Sequence, residues 1–252
     1  MTISLAVEGA VAIATLGRPP VNAINEEWIA RLGAVLDEVE AAQQVSVLWI
    51  RSSERAFSAG ADLALMRSRF GTDAGRLQMV DFTRELQAVY ARLEHLSKVS
   101  IAELGGAAMG GGFELALACD LRVAADAAKL GLPEARLGLL PGAGGTQRLT
   151  RLCGDSVARR LILGAEVLTG SEAAALGLVH WAVPAAELES YTRSVAQRIG
   201  ALPPAALAAC KRCIEAALDE TADGFEVELS ETALLLASDE TQQRVKRFLE
   251  KS

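Results

Sequence analysis

Residues 3–7 and 10–16 are largely apolar and β-prone on either side of Glu8-Gly9, a pattern that predicts a hairpin. Arg18-Pro19-Pro20 ends that unit. Asn25 stands where a helix cap is expected, and Trp28, Ile29, Leu32, Val35 and Leu36 follow at near-helical spacing. Val45 to Ile50 is a nearly continuous apolar run, the signature of a strand covered on both faces. Arg51 to Gly60 reads as a loop, after which Asp62 starts a helical segment containing Leu63, Leu65 and Met66. A second helix near 77–96 leads into strand 99–104, a glycine loop 105–112, helix 113–119 and strand 120–125. This recurring cadence predicts a layered α/β domain. Pro203-Pro204 opens a last third with helices expected near 205–218, 224–237 and 239–250, carrying Leu234, Leu235 and Leu236, then Val245, Phe248 and Leu249. We read an α/β body over 1–195 and a helical region over 196–252 that covers a site and joins subunits.

Composition narrows the function classes. At 252 residues and 51% hydrophobic, the chain can bury one substantial core. A net charge of −7 and a pI near 5.1 argue against general affinity for nucleic acid or anionic membrane. Glu8 and Glu103 interrupt the two most apolar stretches before either reaches spanning length. The first residues lack the basic start and apolar core of a secretory signal, and four cysteines make no disulfide framework. Together these predict a soluble, cytoplasmic protein.

The candidate chemistry lies in three glycine-rich segments. Ala56-Phe57-Ser58-Ala59-Gly60-Ala61-Asp62 combines small residues with a helix start. Its plainer reading is a tight strand-to-helix connection with Asp62 as N-cap. Gly105 to Glu114 contains three successive glycines, costly in conformational entropy, leading into a helix whose first N–H groups are unpaired. If the N–H groups of Ala61 and Gly111 converge, they form a two-donor pocket for a developing oxyanion; the alternative is a close backbone crossing in the core. Gly131-Leu132-Pro133-Glu134 is followed by Gly138 to Thr146, whose glycine cluster starts another helix. Neither a dinucleotide fingerprint nor a phosphate-binding P-loop can be placed there. Glu114 and Glu134, twenty residues apart, are a candidate acid–base pair. His95 and His180 sit beside no nucleophile motif, and Cys210-Lys211-Arg212-Cys213 lacks the partners of a zinc site, so structural roles are expected for them.

With these segments in view, the chain resembles the enoyl-CoA hydratase/isomerase superfamily, the crotonase family. The specific motifs are Gly110-Gly111-Gly112-Phe113-Glu114-Leu115-Ala116-Leu117-Ala118-Cys119-Asp120 and Pro141-Gly142-Ala143-Gly144-Gly145-Thr146-Gln147-Arg148-Leu149, supported by Arg18 to Ala23, Phe57 to Asp62 and Phe248 to Lys251. The resemblance implies a spiral of strand–strand–helix units with a C-terminal helical region. It implies backbone donors at Ala61 and Gly111, a water-activating Glu114, and a Glu134 that protonates Cα or shares the same water. It places CoA or substrate contacts at Arg18, Ala23, Ala59, Asp62 and Leu63, and an acyl pocket at Leu65, Met66, Leu132 and Gly142. No metal or further cofactor is implied, since coenzyme A is part of the substrate, and the expected assembly is a homotrimer or homohexamer. Leu132 departs from a polar residue common in hydratases, as Val99 does from a proline, and Gln243-Arg244 from a Glu-Gly. Hydration of a 2-enoyl-CoA is therefore the expected activity. Isomerisation, a specialised acyl-CoA, or a non-catalytic CoA- or RNA-binding relative are the alternatives.

Overall fold

The computed structural model describes residues 2–250. Its larger sheet starts with the expected hairpin: β1 (Ile3–Glu8) pairs antiparallel with β2 (Val11–Leu16), and Gly9 makes the turn at φ +60°. From there every pairing is parallel, through β3 (Val47–Ser52), β5 (Val99–Leu104), β7 (Leu121–Ala125) and β10 (Trp181–Val183). A smaller sheet is made of β4 (Ala56–Ser58), β6 (Ala107–Met109), β8 (Leu130–Gly131) and β9 (Val167–Leu168). Three of the long strands run into a short one and then a helical segment, so β3–β4, β5–β6 and β7–β8 repeat one unit. This is the spiral that the resemblance implies.

The helices follow their local signals. Asn25 caps α1 (Glu26–Ala41), accepting from Trp28 N, and Trp28, Ile29, Leu32, Val35 and Leu36 all turn inward. Asp62 caps the short α2 (Leu63–Arg69). The long α3 (Asp73–Glu94) starts four residues before its expected position, because the Thr72 hydroxyl caps it through Gly75 N. The strand expected at 45–50 begins instead at Val47. Ser46 N and Val47 N both donate to Ala10 O, which sets the entry to the strand.

Two readings need correction. The segment 51–60 is not all loop, since it finishes β3 and contains β4. Strands of two or three residues show no period, and their parallel partners lie far away along the chain. The body also does not end at 195: α7 (Leu188–Gly200) runs through that point and lies on β2, β3, β5 and β7. The break falls at Pro203, which caps α8 (Pro204–Ala216); α9 (Gly224–Leu236) and α10 (Asp239–Leu249) follow. Lys211 on α8 reaches back to Asp120 at 2.8 Å, tying this region to the body.

Candidate active site

The first wall is the loop after β4. Buried Asn22 donates from Nδ2 to Phe57 O at 3.0 Å, and Ser58 Oγ donates to Asn22 O at 2.8 Å. Ile24 N donates to Gly60 O and Asp62 N to Ile24 O, both at 2.9 Å. In a parallel bridge of this kind the central residue faces its own N–H and C=O the other way. Ala61 therefore turns its N–H away from Ile24. Gly60, at φ +87°, makes the bend, and a Cβ there would stand 2.9 Å from Met109 O.

The second wall is the start of α4 (Gly111–Leu117), entered through Gly110 at φ +51°. Gly111 opens the helix, so its N–H has no carbonyl one turn earlier to bond. A Cβ on Gly111 would lie 3.8 Å from Ala61 N, so the two N–H-bearing segments are in contact. Gly112 is pressed against β4: a Cβ there would fall 2.3 Å from Ser58 O and 2.6 Å from Ser58 Cβ. Gly112→Ala must lift α4 off β4. We expect this to cost about 3 kcal/mol of stability, read by denaturant melts, and roughly 100-fold in turnover, since misplacing a catalytic donor is costly.

One turn into α4, Glu114 is buried, and its Oε1 accepts from Gly145 N at 2.7 Å. Gly145 opens α5 (Gly145–Leu163) after Gly144, whose φ is +101°. Burial pushes the Glu114 carboxyl up to about 7; the Glu134 carboxylate adds to this, while the Gly145 and Ala143 N–H groups and Arg148 oppose it. Glu134 opens a 3₁₀ turn (Glu134–Leu137) just after Pro133. Burial raises its pKa too. Its Oε2 is buried with no hydrogen-bond partner among the described residues, and Oε1 lies beside Gly110.

Both carboxylates line one cavity of about 450 Å³, together with Ala59, Ala61, Leu63, Met66, Gly111 and Gly142. Five expected site residues lie elsewhere. Arg18 pairs with Asp62 at 2.8 Å and donates to Ala23 O at 2.7 Å, a cluster outside the cavity lining. Leu65 packs on the core, and Leu132 is fully buried; neither touches the cavity. Nor does any residue of α8–α10 line it, so the helical region does not cover the site within its own chain. What sequence reading missed was the other wall. Met79, Phe82, Thr83, Leu86 and Gln87 present one face of α3, and Leu139 and Leu140 close the rim. The helical stripe from Phe82 to Tyr90 was the available signal.

The remaining candidates are structural. His180 Nδ1 accepts from Arg122 N at 3.1 Å, and burial lowers its pKa to about 4. Glu103 lies in the larger sheet, 3.4 Å from Arg51, and is not part of the cavity lining. Among the described residues no cluster of His, Cys, Asp and Glu suits a metal ion, and no helix is long and apolar enough to cross a membrane.

Known proteins share this sequence pattern and fold. The family profile described as Enoyl-CoA hydratase/isomerase matches residues 6–252. A short-chain-enoyl-CoA hydratase of Clostridium acetobutylicum is 36% identical over 231 residues, covering 90% of this chain and 87% of its own length. A crotonyl-CoA hydratase of Syntrophomonas wolfei is 34% identical over 252 residues, covering 99% and 95%. The crystal structure of an enoyl-CoA hydratase from Bacillus anthracis superposes with a TM-score of 0.92 at 30% identity, covering 100% of this chain and 97% of that one. The fold is that of the crotonase class. The chain belongs to the enoyl-CoA hydratase/isomerase family.

Proposed function

We propose that this protein adds water across the 2,3 double bond of 2-enoyl-CoA thioesters. The observation that carries the reading is that Glu114 and Glu134 share one cavity with the N–H-bearing segments at Ala61 and Gly111. The thioester oxygen accepts from the Ala61 and Gly111 N–H groups. Glu114 takes a proton from water as its oxygen bonds Cβ, and the double-bond electrons move through Cα onto the thioester oxygen. The enolate charge that develops there is what the two donors stabilise. Glu134 delivers a proton to Cα, and proton exchange between the carboxyls restores the starting state. No metal or redox step enters this sequence.

The apolar wall from Met66 to Leu86 suits the acyl chain. Isomerisation needs one acid where this cavity holds two, which favours hydration. Exposed Phe225, Leu229, Leu234 and Leu249 in the C-terminal helices favour self-association, and a trimer or hexamer is our reading of the assembly.

The test is loss of the enone absorbance of crotonyl-CoA on adding purified protein. Glu114 must be ionised to accept a proton, and its pKa is raised to about 7, so kcat/KM should fall as pH drops through that value. The two carboxyls titrate as a pair, so the apparent values belong to both. Thioester binding without turnover at any pH would replace hydration by a silent CoA-binding role.

A further inference from the structure

The inner face of α3 holds the two halves of the site together. Gln87, Tyr90 and Glu94 are spaced three and four residues apart and so share one helical face. Gln87 Nε2 donates to Gly142 O at 2.6 Å. Tyr90 OH donates to Gly111 O at 2.8 Å. Glu94 Oε2 accepts from Arg148 Nη2 at 2.7 Å, and Arg148 Nη1 donates to Ala143 O at 2.9 Å. One helix therefore grips both the residue that opens α4 and the 142–145 loop whose Gly145 N–H holds Glu114.

Tyr90 is the member whose side chain needs a reason. It is fully buried, so phenylalanine would serve packing alone, and a phenol hydroxyl in that position is costly unless bonded. Its bond goes to the middle of Gly110-Gly111-Gly112, the stretch of backbone with the most freedom to wander. We propose that Tyr90 is a positioning residue that pins Gly111, so that the Gly111 N–H meets the thioester oxygen as negative charge grows there. This rests on the hydratase reading for the identity of the thioester. The phenol keeps its proton throughout, because burial, reinforced by the Glu114 charge, drives its pKa upward.

Tyr90→Phe keeps the ring and deletes only the tether. We expect kcat for crotonyl-CoA to fall about 10-fold while KM stays within about twofold, the split that marks loss of transition-state positioning. An infrared difference spectrum of bound butyryl-CoA, which cannot be hydrated, reads carbonyl polarisation directly. The downshift of its thioester stretch relative to free butyryl-CoA should shrink in Tyr90→Phe. Val89→Ala, on the same helix and buried, serves as the packing control: it should lower Tm and leave kcat and the stretch alone. Unchanged kcat and stretch in Tyr90→Phe would overturn the proposal. So would an equal fall of kcat in Val89→Ala, or a wild-type stretch that does not move. If Tyr90→Phe proves less stable than the control, the stretch measured well below its Tm still decides. A wild type that fails to hydrate crotonyl-CoA sinks the hydratase reading alone, since the butyryl-CoA stretch needs no turnover.

Discussion

Glu114→Gln is expected to lower kcat for crotonyl-CoA roughly 1000-fold, the scale of losing a general base, while raising the stability of the fold at pH 8. The two effects share one cause. Burial lifts the Glu114 pKa from 4.5 to about 7, so the folded protein holds this proton more tightly than the unfolded chain does. Stability from that preference is fully present below the unfolded value and is lost as pH rises through about 7. A shift of this size corresponds to about 3 kcal/mol of strain from carrying the ionised form. Glutamine still offers an oxygen to Gly145 N and carries no charge to desolvate. Thermal melts should therefore show the variant gaining up to roughly 5–10 °C over wild type at pH 8 and little at pH 4. A variant no more stable than wild type at pH 8 would mean that water reaches the native carboxylate. Near-native turnover would remove Glu114 from the mechanism.

Glu134→Gln should also cost about 1000-fold in hydration, for a different reason. Its buried Oε2 has no partner among the described residues, and burial favours the protonated form, the state needed to give a proton to Cα. Exchange of the α-protons of butyryl-CoA in D₂O separates the two acids. That exchange requires a base at Cα and a polarised carbonyl, but no attacking water. Proton NMR should find it lost in Glu134→Gln and largely kept in Glu114→Gln. The opposite pattern would swap the two assignments, and loss in both would point to one shared water.

Much of this site was legible because its chemistry is written in local motifs. Gly110 to Glu114 reads as a glycine turn opening a helix, and a glutamate three residues after Gly111 must sit one turn along. Asn25 and Asp62 cap the helices they precede, because capping is a contact within three residues. Leu65 and Leu132 were misplaced because apolar character does not say which apolar neighbour is met. Both turn into the core, and α3 supplies the cavity wall in their place.

The helices and long strands as far as β7, the three C-terminal helices, the two acids and the glycine backbones beside them were legible in the sequence alone, since periodicity, capping and missing side chains act over a few residues; α7 and β10 were not read from it. Only the tertiary structure decided the small sheet, the shared cavity, the tether from Tyr90 to Gly111 twenty-one residues away, and the bond from Glu114 to Gly145 thirty-one residues away. The raised pKa of Glu114 belongs with these. Desolvation is a property of what surrounds a group, and its surroundings come from segments far apart in the chain.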